Sequence, residues 1–138
     1  VMMFQKEKHL TNSEEDLMEI FWEKKEPLTS VEILELSAER SWNGNYIHKM
    51  LRSLLKKDMI KICGTVQCGT QYARQFIPAV TKEEYAAKLV MSKGIEKSAI
   101  AAVTVAMVHE MDGADGEDVV KQLEDIIEEL KGKGSGEK

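Results

Sequence analysis

The residues whose types and spacing could do chemistry are concentrated in one basic segment, residues 42–60. It reads W-N-G-N-Y-I-H-K-M-L-R-S-L-L-K-K-D-M-I and carries four lysine or arginine side chains against one acid, Asp58. Lysine and arginine are the side chains that bind phosphate groups in proteins. The 138-residue chain as a whole has a formal net charge of -5, so this segment differs sharply from the rest. It is the first candidate for binding a polyanion.

Charge is divided along the chain rather than mixed. Residues 9–39 contain nine acids and two lysines, and residues 40–74 contain seven Lys or Arg and one Asp. From residue 80 onward, thirteen acids accompany eight lysines. Because binding to a polyanion depends on the local charge, an acidic protein can still present a cationic surface. A solvated helix face is the alternative interpretation of such a charge run.

Enzymatic and metal chemistry have little support in the sequence. His9, His48 and His109 have no Asp or Cys neighbour at a metal-ligand spacing. No glycine-rich phosphate loop, nucleophile elbow or paired-carboxylate motif occurs. We therefore expect no enzyme, no metal site and no cofactor. The apolar stretch at residues 99–108 is too short to cross a bilayer and the first residues lack a secretory pattern, so we expect a cytoplasmic protein without a membrane partner.

The two cysteines, Cys63 and Cys68, are too few for a disulfide framework or for a self-contained zinc finger. If a short turn separates them, they could face each other on two strands, where a disulfide is geometrically possible. A metal- or redox-responsive protein that uses this pair is therefore an alternative. We expect instead two small apolar strand residues without a required redox or metal role.

Three helices and a hairpin are predicted to position the basic segment. Capping boxes at residues 11–14 and 29–32 start the first two helices, and Pro27 ends the first of them. The third helix is predicted to start near Asn43, and after Asp58 a run of β-branched and aromatic residues around a glycine-containing turn predicts a β-hairpin that ends at Pro78. Five apolar residues fall at helical spacing on one side of the third helix: Ile47, Met50, Leu51, Leu54 and Leu55.

This order of elements is that of a winged helix-turn-helix domain, in which the third helix enters the major groove and the hairpin touches the DNA backbone. We predict a mainly α fold with a small β-hairpin, in which a winged helix-turn-helix domain precedes a helical dimerisation domain. His48, Lys49 and Arg52 are expected to reach into the major groove. The full set of predicted DNA-binding residues is Ser41, Asn43, Asn45, Tyr46, His48, Lys49, Arg52, Lys56, Lys57 and Arg74.

The last third of the chain predicts helices that need a partner. A third capping box at Thr81 starts one helix, a nearly all-apolar helix follows from about Ser98, and a last helix covers residues 117–130. Three helices in under sixty residues cannot bury such an apolar helix alone, although an ordinary intrachain core is the alternative. We predict a winged-helix domain at 1–80, a dimerisation domain at 81–131 and a flexible tail at 132–138. The predicted interface residues are Tyr85, Leu89, Ile100, Val103, Val105, Met107, Val108, Val119, Leu123, Ile126, Ile127 and Leu130.

Four motifs carry a resemblance to a known family. They are L-T-x-x-E-x-x-L-M-x-I-F-W at residues 10–22, P-L-T-S-x-E-I at 27–33, W-x-x-x-Y-I-x-K-M-L-x-S-L at 42–54 and Y-x-x-x-F-x-P-x-V-T-x-E-E-Y at 72–85. In this order they resemble the BlaI/MecI/CopY family of penicillinase-repressor-like transcription factors. The resemblance implies a bacterial repressor that binds double-stranded operator DNA as a homodimer.

The chain also departs from that family. Members usually have threonine at the positions of Tyr46 and Lys49, and arginine at that of Ser53, so the operator sequence is not implied. Members induced by a sensor protease carry an Asn-Phe bond and copper-responsive members carry Cys-x-Cys pairs, and neither occurs here. The predicted function is a sequence-specific homodimeric repressor of a pseudo-palindromic operator, with an unidentified sensor or inducer. The alternatives are a metal- or redox-responsive repressor and a winged-helix module that binds protein instead of DNA.

Overall fold

The computed structural model describes residues 9–136, with the backbone alone at 133–136. Within this range the elements are α1 (Asn12–Lys24), α2 (Ser30–Leu36), α3 (Gly44–Lys56), β1 (Ile60–Cys68), β2 (Gln71–Pro78), α4 (Lys82–Ser92), α5 (Ile100–His109) and α6 (Gly113–Gly136). A short 3-10 turn, Lys97–Ala99, precedes α5. The prediction of a mainly α fold with one small hairpin is confirmed. No helix in residues 9–136 is both long and apolar enough to span a membrane.

Local capping signals set the starts of the helices, as the sequence predicted. Thr11, Thr29 and Thr81 each accept a hydrogen bond from the amide three residues further on, and the glutamate at that position accepts one in return. At α3 the side chain of Asn43 accepts a hydrogen bond from the amide of Tyr46. These reciprocal bonds satisfy amides that have no partner inside the helix, so each start is fixed by a few neighbouring residues.

The end of α3 directs the chain into the hairpin. The amide of Met59 donates to the carbonyl of Leu54 over 2.9 Å, and the amide of Asp58 donates to that of Leu55 over 3.1 Å. Asp58 has a φ of 60°, the left-handed conformation that closes a helix in a Schellman motif. The reversal brings Met59 and Ile60 into the core directly after the basic helix.

The hairpin reverses at a two-residue loop, Gly69 and Thr70, between the paired residues Cys68 and Gln71. This position corrects the predicted arrangement of the cysteines. Cys63 and Cys68 both lie on β1, because the chain turns after both of them. Residues five apart on one strand are separated by about 16 Å, which excludes a disulfide within the hairpin. Both thiols are free and exposed, and the described residues contain no cluster of three or more potential metal ligands.

One further backbone pair attaches the hairpin to the helices. The amide of Leu28, between α1 and α2, donates to the carbonyl of Phe76 over 3.0 Å, and the amide of Phe76 donates back over 2.8 Å. Both side chains are buried. The position of β2 is therefore fixed by hydrogen bonds as well as by packing.

A single apolar core lies among α1, α2, α3, the hairpin and the start of α4. The stripe predicted on α3 is buried, except for Leu55, which is half-buried. Among the described residues, every fully buried apolar side chain lies at or before Tyr85. The core residues are Leu17, Met18, Phe21, Leu28, Ile33, Ile47, Met50, Leu51, Leu54, Met59, Ile60, Phe76 and Tyr85.

Contacts divide the chain into two compact units, between Lys93 and Gly94, whereas the sequence predicted a boundary after residue 80. Helix α4 packs with the first unit because α1 holds it. The indole of Trp22 donates to the carbonyl of Val80 over 3.0 Å, and the hydroxyl of Tyr85 donates to Glu15 over 2.7 Å. Tyr85, predicted at a dimer interface, is accordingly buried in the first unit, and Leu89 packs against the same core.

The second unit contains α5 and α6, whose apolar side chains are largely exposed. Helix α6 begins four residues before the predicted start and continues to Gly136. The predicted tail, residues 132–138, therefore begins inside this helix. Its last two residues lie outside the described part of the chain, and its flexibility stays a prediction. Seven apolar side chains of this unit are between 44% and 61% exposed: Ile100, Val105, Met107, Val120, Ile126, Ile127 and Leu130.

A largely buried ion pair joins the start of α1 to the end of α3. The ammonium of Lys57 lies 2.7 Å from the Glu14 carboxylate, and their side chains are 14% and 6% exposed. Lys57 also donates to the carbonyl of His9 over 2.8 Å, while Glu14 accepts the amide of Thr11 over 2.9 Å. Burial by itself raises the pKa of Glu14, but hydrogen bonds from Lys57, from Ser53 and from one backbone amide outweigh it. The pKa therefore lies below its ordinary value of 4.5.

The lowered pKa of Glu14 predicts a specific pH dependence of stability. Its ion pair contributes fully above about pH 4.5 and is lost as the pH falls through the lower folded-state pKa. Glu14→Gln should lower the free energy of unfolding at pH 7 by about 2 kcal/mol, since a buried ammonium loses its charged partner. The difference in the free energy of unfolding between Glu14→Gln and the wild type should become smaller below pH 4.5. Urea denaturation from pH 7 to 3 measures it. Glu23→Gln, at an exposed position of the same helix, should leave the free energy of unfolding unchanged. If the loss caused by Glu14→Gln stays constant down to pH 3, the stabilising ion pair assigned to Glu14 is contradicted.

Candidate nucleic-acid interface

The outer face of α3 is cationic and exposed. His48, Lys49, Arg52 and Lys56 all lie on the side of the helix opposite the buried apolar stripe. Because a helix repeats every 3.6 residues, the same spacing that buries the stripe directs these four side chains outward. The structure therefore places His48, Lys49 and Arg52, which the sequence predicted to reach the major groove, on one exposed face together with Lys56.

The start of α3 presents polar side chains around two aromatic rings, Trp42 and Tyr46, which are tilted against each other. Ser41, Asn43, Asn45 and Tyr46 are exposed, as predicted. The centroid of the Tyr46 ring lies 6.4 Å from that of Trp42. The side-chain oxygen of Asn43 already accepts the amide of Tyr46 over 2.8 Å, so its amide nitrogen is the part that remains for a ligand.

Arg40 holds the Trp42 ring in place, a role that could not be predicted from the sequence. Its guanidinium carbon lies 5.1 Å from the centre of the Trp42 ring, a cation–π distance. The same guanidinium lies 2.7 Å from the carboxylate of Asp16 on α1. Arg40 therefore links α1 to the loop that leads into α3. Such a link joins residues 24 positions apart, and only the folded structure reveals it.

Lys57 is not part of the exposed cationic face. The sequence placed it with the DNA-binding residues because it follows Lys56 in a basic run. In the structure its ammonium is engaged by Glu14 and by the carbonyl of His9, and its side chain is mostly buried. The geometry indicates an internal role for Lys57, while Lys56 is exposed at the end of α3.

Arg74, on β2, lies beside α3 in a cavity that we call the wing cleft. This cavity of about 300 Å3 opens between the start of α2, the outer side of α3 and the hairpin. The guanidinium carbon of Arg74 lies 5.6 Å from the centre of the Phe76 ring, which orients it. The cleft brings together His48 and Arg74, both predicted from the sequence, with three residues that the sequence did not indicate: Ser30, Gln71 and Tyr72.

A sequence profile of the penicillinase repressor family matches residues 10–129. No curated protein sequence matches significantly.

Several solved structures are similar to the chain. The adhesin competence repressor AdcR from Streptococcus pyogenes is 17% identical, with 91% of this chain and 84% of that chain covered and a TM-score of 0.41. A MepR mutant from a multidrug-resistant S. aureus clinical isolate is 16% identical, with 88% and 80% covered and a TM-score of 0.44. ZitR from Lactococcus lactis, a zinc-responsive MarR family member, is 13% identical, with 94% and 85% covered and a TM-score of 0.43.

The different placements of Lys56 and Lys57 predict different effects on binding to duplex DNA. Lys56→Gln should reduce the slope of log affinity against log salt concentration by about 0.9, the value for one phosphate contact. The double replacement of Glu14 and Lys57 by Gln removes the internal pair together and should leave the slope unchanged. Fluorescence anisotropy measures the slopes of both variants between roughly 50 and 200 mM salt, the range over which such slopes are resolved. Circular dichroism is the folding control. A reduced slope in the double variant would show that Lys57 reaches the DNA.

Proposed function

Because the chain belongs to the penicillinase repressor family, we propose that it represses transcription by binding a specific operator sequence as a homodimer. Family membership makes it a winged-helix transcriptional repressor and not an enzyme. The observation that supports operator binding most strongly is the exposed cationic face of α3 in a chain of net charge -5. An exposed basic helix in an otherwise acidic protein is suited to one class of polyanion, the nucleic acid backbone.

The positions of the exposed side chains suggest how the contacts divide. Lys49 and Arg52, in the middle of the outer face of α3, are proposed to reach base edges in the major groove, together with His48. Lys56, at the end of the helix, is proposed to bind a backbone phosphate. The exposed polar residues at the start of the helix, Ser41, Asn43, Asn45 and Tyr46, are proposed to position it through backbone contacts.

A homodimer is supported by the apolar surface of the second unit. Helix α5 is apolar nearly all round, yet none of its residues is fully buried. An apolar surface this extensive on an isolated chain normally marks a protein interface. The proposed dimer residues are Ile100, Val103, Val105, Met107, Val108, Val119, Leu123, Ile126, Ile127 and Leu130. A two-fold dimer implies a pseudo-palindromic operator with half-sites about one helical turn, or a small multiple of it, apart.

The alternatives have less support. A repressor that senses metal or oxidant through paired cysteines would need Cys63 and Cys68 close together, whereas β1 separates them. A winged-helix module that binds only protein would have no need for the cations on α3. Operator binding also implies that the protein works in the compartment that holds the DNA, the bacterial cytoplasm, under a sensor or inducer that is not identified.

The proposed base contact of Arg52 can be tested directly. An operator is first selected from a pool of random duplexes, and Arg52→Ala is then compared with the wild type. We expect a loss of about 1–3 kcal/mol in binding free energy and a relaxed preference at one base position, because a bidentate contact to guanine disappears. Lys88→Ala, at an exposed site on α4, is the matched control. If Arg52→Ala keeps the wild-type operator affinity and base preference, Arg52 does not contact a base.

The proposed dimer interface predicts the effect of one buried charge. Val105, 53% exposed in the single chain, should become buried in the dimer. Val105→Asp should yield monomers with weak operator binding, since an unpaired carboxylate would enter an apolar interface. Val105→Thr, which has nearly the same shape without a charge, should remain largely dimeric. Light scattering measures the mass, and a Val105→Asp protein that stays dimeric would contradict the proposed interface.

A further inference from the structure

A continuous row of side-chain contacts leads from α1 to the first turn of α3. A carboxylate oxygen of Asp16 lies 2.7 Å from the Arg40 guanidinium, whose carbon lies 5.1 Å from the centre of the Trp42 ring. The centroid of that ring lies 6.4 Å from the centroid of the Tyr46 ring, and the amide of Tyr46 donates to the capping side chain of Asn43. The row therefore joins the middle of α1 to the start of the basic helix.

The loop between α2 and α3 packs weakly against the rest of the first unit. Residues 38–41 are all exposed, and Trp42, which follows them, is half-buried against the core. Arg40 is suited to hold this ring, because a planar guanidinium donates hydrogen bonds at its edge while its face packs on an aromatic ring. A lysine ammonium has no such face. The position of the loop, and of the helix start that follows it, therefore depends on the contacts of Arg40.

We propose that Asp16 and Arg40 are positioning residues that set the orientation of α3, and with it the sequence preference of the repressor, without contacting a base. This inference rests on the proposed repressor function. Hydrogen bonds to base edges require narrow ranges of distance and angle, whereas attraction to the phosphate backbone tolerates small shifts. A loosened helix start should therefore weaken discrimination between operator and other sequences more than it weakens binding to DNA in general.

Exposure of the ion pair separates this role from a role in folding. The side chains of Arg40 and Asp16 are 42% and 44% exposed, and an ion pair this exposed contributes little to the free energy of unfolding. The charge of Asp16 alone would act in the opposite direction, because an acid repels DNA and its removal should strengthen binding to every duplex. A loss of sequence preference on removal of this acid is therefore specific to positioning.

The test uses the full chain and measures the ratio of its affinities for the selected operator and for a scrambled duplex of equal length. Asp16→Asn and Arg40→Gln should each lower this ratio about tenfold, comparable to one mismatched base pair. The double variant should lower it no further than either single variant, because both residues act through one contact.

The matched control is Glu19→Gln, which removes an equal charge from an exposed ion pair of the same helix, 3.0 Å from Lys82. It should leave the ratio unchanged. Asp16→Glu keeps the ion pair and should restore most of the ratio, whereas Arg40→Lys keeps the charge without the planar face and should restore less. Thermal unfolding checks that each variant is folded.

A second measurement follows the ring without DNA. The chain has two tryptophans, so labelling with 5-fluorotryptophan gives one fluorine NMR signal for Trp22 and one for Trp42. Replacing either by Phe assigns the two signals. Asp16→Asn should shift the signal of Trp42 and leave that of Trp22 in place, because Arg40 loses the carboxylate that holds it over the Trp42 ring. Glu19→Gln should leave the signal of Trp42 in place.

The other outcomes separate the possible failures. If Asp16→Asn strengthens binding to both duplexes equally, the acid acts by charge alone and the positioning role is overturned, while the repressor function stands. If Arg40→Gln weakens binding to both duplexes equally and reduces the salt slope by about 0.9, Arg40 itself binds a phosphate and the positioning role is again overturned. If no operator can be selected, both proposals fail.

Discussion

Burial of the apolar stripe of α3 is the constraint on which the rest of the structure depends. The stripe packs against α1, α2 and the hairpin, and helical geometry then determines that the cations between its residues face outward. Changing which side of α3 faces the core would rotate the whole cationic face away from the solvent. Folding and the proposed DNA binding therefore use opposite faces of one short helix, and burial of one face fixes the orientation of the other.

Features that depend on neighbouring residues could be predicted from the sequence. The capping boxes at Thr11, Thr29 and Thr81 involve residues only three apart, so the residue types at these positions predict where the helices start. The hairpin was also evident, but its loop was not, because both Gly64 and Gly69 are suited to a turn. Pairing shows that the register shifts between Ile62 and Gly64 and that the chain reverses at Gly69. The pairing register between the two strands determines which glycine lies in the loop. This register cannot be predicted from the neighbouring residues alone.

Features that depend on distant residues could not be predicted. The basic run suggested that Lys57 meets the ligand, yet a carboxylate 43 positions earlier in the chain engages it. The capping box at Thr81 predicted the start of α4, but not that the bonds of Trp22 and Glu15 hold this helix against the first unit. The wing cleft draws its donors from three separate elements. In each case the sequence supplied the correct side chains, and their partners were set by the tertiary fold.

The backbone pair between Leu28 and Phe76 has a consequence for the shape of the DNA. Because two hydrogen bonds and two buried side chains tie the base of the hairpin to the segment before α2, moving the whole wing to follow a duplex of different width would break these contacts. In a repressor of this design, adjustment falls on the nucleic acid, and bending or narrowing a groove costs less energy in some sequences than in others. Flexible pyrimidine–purine steps between the contacted bases would then be preferred at positions that no side chain reaches.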